Sequence, residues 1–409
     1  MKRLLFSSNL GKIVSKVSRL KGGHGSALPG LIVEKVAPNF LTQALADLPY
    51  GVAVISGTNG KTTTTKIVVE LLRAAGLKVF TNPSGSNFTR GIASAAALQM
   101  KRGQLDADIA VVELDEAHAV HFARQVAPDY LLILNVLRDQ LDRFGEIDTT
   151  AKLLAKVADC TTGTVILNRE DPLVAPIPAM NRVYFGHSPN IASLFPNDDE
   201  LYGNKVTKQS PPPAAITLDQ LAGDQATFNI GTAKLQLRGA HNALNSAAAM
   251  ALVQVILRDR FDAQQSLVAL ANIQPAFGRG ESFTVNGQSL ELVLVKNPSG
   301  FRISLASQHD ADAATMIAIN DQYADGRDMS WLWDVDFSML PQVAMVSGVR
   351  GYDMALRLVT NGSDVRATET DLDAALNTFL SGNRGRPAQI YATYTAMLKL
   401  RKLIKQRVS

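Results

Sequence analysis

The residues best suited to chemistry form one short run: Gly57, Thr58, Asn59, Gly60, Lys61 and Thr62. An apolar segment typical of a buried strand precedes this run, and apolar residues at helical spacing follow it. A glycine-rich turn between a strand and a helix leaves backbone N–H groups free for phosphate oxygens, and the helix dipole helps. The lysine of such a loop contacts the terminal phosphates, and the next hydroxyl ligates Mg²⁺.

This pattern predicts ATP binding, with the phosphate role on Lys61 and the Mg²⁺ role on Thr62. One position departs from the strict phosphate-loop pattern, which has glycine where this chain has Ile55. An ordinary turn between a strand and a helix is therefore the alternative interpretation. We favour the phosphate loop because the short G-T-N-G-K-T form is more specific than a generic glycine loop.

Carboxylates follow a second apolar segment, Ile109–Glu113. Side chains at the C-terminal edge of a parallel strand lie in the crevice where such sheets bind ligands. Glu113 is therefore predicted as a partner of Mg²⁺, bound directly or through one of its ligands. For Asp115 and Glu116, a solvated acidic loop is the competing interpretation.

Three more segments offer candidate ligands for the nucleotide. Asn135 and Asp139 follow an apolar strand and suit a magnesium–phosphate site, although Asp139 could equally cap a helix. Asn242 lies just before a predicted helix and can read an adenine edge through paired donor and acceptor groups, or cap that helix. Arg279 could clamp a phosphate or ribose when a second domain closes, or be an ordinary surface arginine.

The second half of the chain has its own dense polar segments, NPSGF from Asn297 and AINDQYADGRDMSWLWDVDF. A strand predicted at residues 316–319 delivers Asp321 to its C-terminal edge, and Asp325 and Asp328 follow. Both tryptophans of the chain also fall here. Acids and aromatic residues at this density after a strand predict a site or an interface.

Composition sets the class of protein. The 409 residues suggest two domains plus a short extension, and 46% hydrophobic with 19% charged residues is typical of a globular chain. The single cysteine, Cys160, excludes an internal disulfide and a four-cysteine zinc site and fits a reducing cytosol. A net charge of +4 does not point to nucleic acid. The sequence contains no apolar run that we expect to cross a bilayer.

The fold class predicted from residue 50 onward is α/β, because strands alternate with helices as in a parallel sheet covered on both faces. The predicted strands of the first half cover residues 52–55, 78–81, 109–113, 130–134 and 164–167, followed by a strand pair at 226–230 and 234–237 and a helix at 245–258. In the second half they cover residues 290–295, 313–319 and 342–346, before a closing helix at 387–405. Residues 189–215 form an insertion. The predicted divisions are an extension (1–45), a central domain (46–273) and a smaller C-terminal domain (274–409).

Residues 1–21 carry six lysines and arginines and no acid, interleaved with apolar residues. A signal peptide is not expected, because the apolar core is too short and no clear cleavage site follows. Such a basic amphipathic segment can rest on anionic lipid, or form a helix docked on its own domain with the basic residues solvated. The sequence leaves these two alternatives open.

These motifs together resemble the Mur ligase family, over nearly the whole chain from about residue 21. The order of GTNGKTT, the Glu113 strand end, RDQLDR, G-x-H-N-x-x-N and G-R-x-E is that of the central and C-terminal Mur domains. The second half resembles the branch of the family that amidates lipid II. Relatives in that branch often carry a zinc ribbon where residues 189–215 have no cysteine, so no zinc is predicted. The carbamylated lysine that is common in the family would correspond by spacing to Lys156. We favour the interpretation that Lys156 is a solvent-facing helix residue.

The resemblance implies a Mur-type central ATPase domain, a Rossmann-like C-terminal domain, and ATP with Mg²⁺ as cofactors. It implies amidation of the D-glutamate α-carboxylate of the lipid II stem peptide through an acyl phosphate, in the cytoplasm or at the inner membrane face. Ammonia would come from a GatD-type glutaminase that forms a heterodimer with this chain. Asp321 would complete the Cys–His pair of that glutaminase, and Asp325 and Asp328 are the alternative candidates for this role. The alternative is a Mur- or folylpolyglutamate-type ligase that adds an amino acid. A nucleotide-binding scaffold without catalysis is a third hypothesis.

Overall fold

Two β-sheets organise the chain in a computed structural model, which describes residues 9, 11–12, 27–82, 88–137, 147–195, 211–237, 239–274 and 281–408. The first sheet has nine strands and the second has six, and a separate pair of short strands accompanies the second. The predicted division at residues 273 and 274 falls between the segments that form the two sheets, and we retain it as a proposal.

The nine-stranded sheet has the order β2-β3-β1-β4-β5-β6-β7-β8-β9. Its strands are β1 (Val52–Ser56), β2 (Val79–Thr81), β3 (Ile109–Glu113), β4 (Tyr130–Ile133), β5 (Thr164–Asn168), β6 (Asn181–His187), β7 (Ile216–Ala222), β8 (Gln225–Phe228) and β9 (Gly231–Lys234). The pairs from β2 to β7 are parallel, and β8 and β9 add antiparallel pairs at one edge. The chain passes from one side of β1 to the other between β3 and β4, which is where such sheets bind ligands.

Helices cover both faces of this sheet. They are α1 (Ala27–Val36), α2 (Phe40–Leu45), α3 (Lys61–Ala74), α4 (Thr89–Gln99), α5 (Glu116–Gln125), α6 (Ile147–Asp159), α7 (Ala240–Leu257) and α8 (Ala263–Ala271). One apolar core lies between the sheet and α3, α7 and α8, and the other lies under α1, α2, α4, α5 and α6. Every residue of β1 and β3 is buried, as expected for parallel strands covered on both faces.

The six-stranded sheet has the order β10-β11-β17-β12-β14-β16, and all its pairs are parallel except β10 with β11. Its strands are β10 (Glu281–Val285), β11 (Gln288–Leu294), β12 (Ala314–Ala318), β14 (Met345–Ser347), β16 (Thr368–Glu369) and β17 (Ala388–Ala392). The separate pair is β13 (Gln342–Val343) with β15 (Asp364–Val365). The helices are α9 (Pro298–Gln308), α10 (Gly351–Thr360), α11 (Leu372–Gly382) and α12 (Tyr394–Lys405).

The predicted α/β class with a central and a C-terminal sheet is confirmed, and the first five strands lie within one residue or two of their predicted positions. Several details were wrong. Strands β6 and β7 were missed, and the second strand of the predicted pair is β9, a few residues earlier. The helix predicted at 245–258 begins at Ala240, and the start of the closing helix predicted at 387–405 is strand β17. A short buried strand next to a helix is apolar throughout, so periodicity does not separate the two.

The described part of the N-terminal extension packs on the central core. Phe40 and Leu41 are almost fully buried there. The Lys12 ammonium donates to the Met100 carbonyl oxygen at 2.7 Å, just after α4. That contact belongs to the docked alternative, and the other basic residues of this stretch lie outside the described residues.

Among the described residues, one helical stretch, residues 240–260, has the length and composition of a membrane span. Of its most apolar window, 78% is buried inside the fold. This stretch is the α7 core helix with its short continuation, where small alanines allow close packing against the sheet.

Candidate active site

The loop between β1 and α3 needs glycine at both of its ends. Gly57 and Gly60 have φ values of 127° and 88°, a region that other residues rarely adopt. A Cβ atom on Gly60 would lie 2.5 Å from Asn245 Oδ1, and one on Gly57 would lie 2.9 Å from the Asn135 carbonyl oxygen. The backbone is therefore held close to its neighbours at both ends of the loop, directly before α3.

Asn135, just after β4, holds the middle of this loop. Its side-chain oxygen accepts from the Asn59 backbone N–H at 2.8 Å, and its amide nitrogen donates to the Asn59 carbonyl oxygen at 3.1 Å. The Thr58 N–H donates to the Asn135 carbonyl oxygen at 3.0 Å, and the Leu137 N–H donates to Thr58 Oγ1 at 3.1 Å. The loop is thus fixed by the neighbouring strand end before any ligand binds.

Lys61 is the cation of the loop, and its side chain is buried. Its ammonium donates to the carbonyl oxygens of Gly57 and, at 3.2 Å, of Thr58. Glu116 Oε1 lies 3.6 Å from Lys61 Nζ, with only 4% of the glutamate side chain exposed. Phosphate oxygens bound to the loop would compete with these carbonyl contacts for the ammonium.

Asp115 and Glu116 are adjacent carboxylates beside this lysine. Burial alone would raise the pKa of Asp115, but its hydrogen bond with Glu116 and the charges of Lys61 and Lys296 hold that pKa well below its usual range. Burial raises the pKa of Glu116 to about 7, against the opposing charge of Lys61. Glu116 can therefore carry a proton near neutral pH while Asp115 stays ionised.

Thr62 and Glu113 bring two oxygen donors together. The Thr62 hydroxyl donates to Glu113 Oε1 at 2.9 Å, and the Glu113 backbone exchanges two hydrogen bonds of 3.0 Å with the Asn82 side chain. A hydroxyl and a carboxylate are ligands that suit Mg²⁺, which commonly takes its remaining ligands from water and substrate phosphates. These residues therefore fit a magnesium ion at the phosphate end of a nucleotide.

The other residues predicted for the nucleotide site do not all lie at the phosphate loop. Asn242 lies in the first turn of α7, three residues before Asn245, so both share a helix face that reaches the Gly60 end of the loop. Arg279 and Asp139 lie outside the described residues. Lys156 is exposed on α6, as expected for a solvent-facing residue.

In the second half, the three candidate aspartates have different surroundings. Asp321, just past β12, accepts from Arg350 Nε at 2.8 Å and keeps 24% of its side chain exposed. Asp325 is buried, and its two oxygens accept from the backbone N–H and hydroxyl of Thr395 at 2.7 and 2.5 Å. Asp328 is partly exposed, and its hydrogen bonds with Ser330 lower its pKa. Asp325 thus has a structural contact at the start of α12, whereas Asp321 lies at the surface.

Sequence reasoning missed one contact between the two halves. The Asn297 side-chain amide donates to Asn59 Oδ1 at 3.0 Å, and the Asn59 amide donates to Asn297 Oδ1 at 3.3 Å. Asn297 was noted only as part of a polar segment, because residues 238 positions apart carry no local signal of pairing. For Glu116, the sequence left a solvated acidic loop as the competing interpretation, whereas the structure buries this side chain at the start of α5.

Comparison with known proteins agrees with this geometry. The family profile of the Mur ligase middle domain matches residues 55–253, and that of the MurT ligase C-terminal domain matches residues 294–397. A curated relative from Streptococcus pneumoniae, the lipid II isoglutaminyl synthase (glutamine-hydrolyzing) subunit MurT, is 33% identical over 432 residues, covering 96% of this chain and 94% of the relative.

Solved structures show the same fold. A pseudomurein peptide ligase type C from Methanothermus fervidus has a TM-score of 0.73 at 17% identity, covering 90% of this chain and 81% of that one. The MurF ligase from Thermotoga maritima, solved with ADP, has a TM-score of 0.68 at 16% identity, with 93% and 84% covered. Because the 33% identity to the curated relative extends over nearly the full length of both chains, and the profiles match both halves, this chain belongs to the MurT family of Mur ligases and is a ligase.

Proposed function

We propose that this chain uses ATP to activate the D-glutamate α-carboxylate of the lipid II stem peptide, and that ammonia from a GatD-type glutaminase partner converts it to D-isoglutamine. The observation that carries the proposal is the phosphate loop, with Lys61 beside it and Thr62 paired to Glu113, in a chain so similar to a lipid II isoglutaminyl synthase subunit. The substrate is inferred from the name of that relative, and the type of reaction is inferred from the residues of the site.

A carboxylate is a poor electrophile, so amidation needs a better leaving group than oxide. In the first step a carboxylate oxygen bonds to the γ-phosphorus of ATP while the bond to the β–γ bridging oxygen breaks, and ADP leaves. In the second step the ammonia nitrogen bonds to the acyl carbon, inorganic phosphate leaves, and the nitrogen loses a proton. The ammonium of Lys61 and the N-terminus of α3 stabilise the phosphoryl charge in the first step.

Thr62 and Glu113 are the residues that would hold magnesium. When bound there, Mg²⁺ offsets the negative charge of the terminal phosphates. The Thr62–Glu113 hydrogen bond keeps the hydroxyl and the carboxylate on the same side of the loop. Asn82 fixes the Glu113 backbone from the adjacent strand end, so this carboxylate does not depend on substrate for its position.

The surface around Asp321 has features that favour the binding of a partner protein. Arg350, its ion-pair partner, immediately precedes α10, whose inner face buries Met354 and Leu358. The outer face is also apolar. The α10 stripe, with exposed fractions of 58–68%, consists of Val349, two residues before the helix, and of Tyr352, Leu356 and Val359 on its outer face. A helix that is apolar on both faces is typical of a surface covered by another protein. We propose that the glutaminase docks on the α10 stripe and meets Asp321 there.

The test uses this chain together with the glutaminase, lipid II, ATP and glutamine, with amidated stem peptide measured by mass spectrometry. Lys61→Ala should reduce amidation at least a hundredfold, because the transferring phosphoryl group loses its cation. Lys66→Ala, which removes a lysine from the same helix, is the control. Amidation that survives Lys61→Ala would refute the role of ATP in the reaction.

The partner assignment is tested by the nitrogen source. Asp321→Asn should abolish amidation with glutamine and leave amidation with ammonium chloride, because only the glutaminase step needs this carboxylate. Asp328→Asn should leave both. Equal loss with both nitrogen sources after Asp321→Asn would place Asp321 outside the glutaminase site.

The docking surface is tested by Leu356→Asp, which should weaken complex formation at least tenfold in calorimetry while nucleotide binding stays unchanged. Val268→Asp, at an apolar position on α8 that is 56% exposed, is the matched control. A complex that forms normally with Leu356→Asp would refute this surface.

The alternative is a ligase that adds an amino acid without a partner. The C-terminal profile match at residues 294–397 and the α10 stripe favour the amidating branch. ATP hydrolysis by the isolated chain that depends on a free amino acid would favour the alternative.

A further inference from the structure

Asn297 is fully buried although it lies where the two halves of the chain meet. Its amide pairs reciprocally with that of Asn59 in the phosphate loop, through hydrogen bonds of 3.0 and 3.3 Å. A buried amide that lacks a hydrogen-bond partner is destabilising, so this pair favours the arrangement in which the halves are in contact.

The same side chain also begins α9. Asn297 Oδ1 accepts from the Gly300 backbone N–H at 2.8 Å, which caps the helix. The orientation of the Asn297 amide is therefore set by its own helix before it meets Asn59. A pre-oriented amide loses less conformational entropy on pairing than a mobile one.

Asn59 is fixed from the opposite side. Its backbone N–H and carbonyl group both pair with the side chain of Asn135, at 2.8 and 3.1 Å. Three asparagines thus connect the end of β4, the phosphate loop and the start of α9. Lys296, next to Asn297, lies near enough to Asp115 for its charge to help lower the pKa of that carboxyl.

From this geometry we infer that Asn297 is a positioning residue for the phosphate loop: by holding the Asn59 side chain, it keeps the loop in the conformation that binds the nucleotide. A loop held in its binding conformation loses less conformational entropy when the nucleotide binds, so the Asn59–Asn297 pair strengthens that binding. This inference rests on the proposed binding of ATP at the loop.

The experiment is a double-mutant cycle on the full chain, with the affinity for magnesium AMPPNP measured by calorimetry. Asn297→Ser keeps a capping oxygen for α9 but cannot reach Asn59. Asn59→Ala removes the other amide, at a residue without positive φ. Each variant should weaken binding about three- to tenfold, the range expected for lost hydrogen bonds. The double variant should bind no more weakly than the weaker single one.

Asn272→Ser, at an exposed asparagine at the end of α8, is the control and should leave affinity unchanged. If the losses of the two single variants multiply in the double variant, or if Asn297→Ser binds as the wild type does, the positioning role of Asn297 is refuted while ATP binding stands. If the wild type fails to bind the nucleotide, the proposed function fails and this inference fails with it. A merely structural role for Asn297 would lower the melting temperature without producing non-additive affinities.

Discussion

Replacing Glu116 by glutamine should change how the stability of the first half depends on pH. The carboxyl group is buried beside Lys61, and burial raises its pKa from 4.5 to about 7. Glu116→Gln keeps the shape and the neutral form of the side chain but cannot ionise. The wild type and the variant should therefore differ only where the wild-type group loses its proton.

The sign and size follow from linkage. Because the folded-state pKa of Glu116 is raised, the folded protein holds a proton that the unfolded chain has already released. The stability contribution is fully present below pH 4.5 and is lost as pH rises through about 7. The interval of roughly 2.5 pH units at 1.36 kcal/mol each gives a loss of at most about 3 kcal/mol. Asp115, whose pKa is lowered, titrates below this window.

Hydrogen exchange measured by mass spectrometry on peptides from β1, β3 and α5 reports the stability of the half that contains Glu116. The ratio of wild-type to Glu116→Gln protection, taken at each pH so that the intrinsic exchange rate cancels, should fall up to about a hundredfold between pH 4.5 and 8. Glu70→Gln, at a glutamate on α3 whose side chain is 41% exposed, controls for the loss of one carboxylate. A constant ratio across this range, or a ratio that rises, would refute the reasoning.

Three other changes test separate parts of the structure. Gly60→Ala should weaken nucleotide binding at least tenfold in calorimetry, because φ is 88° and the new Cβ would lie 2.5 Å from Asn245 Oδ1; unchanged affinity would contradict the loop geometry. Arg401→Met should destabilise the second half by about 1–3 kcal/mol in denaturant unfolding followed by tryptophan fluorescence, since it leaves the partly buried Glu281 without its bidentate partner; an unshifted transition would count against that ion pair. Phe301→Ala, at a fully buried ring in the same half, should cost about 3–5 kcal/mol in that assay, and a loss below 1 kcal/mol would mean that the site repacks.

The local part of the site was predictable from sequence. The phosphate loop is defined by the spacing of six consecutive residues, and its strand and helix are strong apolar patterns. Glu113 could be placed because it ends a buried strand next to the one that carries the loop. The pairing of Thr62 with Glu113 follows from that strand order, which the sequence suggests but does not determine.

The rest depended on contacts between distant segments. The pairing of Asn297 with Asn59 needs both the strand order and the contact between the two halves. The burial of Glu116 depends on Lys61, which approaches from another loop. The strand β17 could not be separated from the helix after it, because Thr393 is the only residue between them and carries no strong turn signal.

The position of β17 has a consequence for how the second half is made. This strand comes near the end of the chain, yet it lies between β11 and β12, so it is the interior strand that joins them. Until it has been synthesised, β11 and β12 each have an unpaired edge, and the apolar side chains that later pack together remain accessible to water. During translation β11 and β12 are therefore made with unpaired edges before β17 exists, and unpaired strand edges of this kind promote aggregation until they are covered.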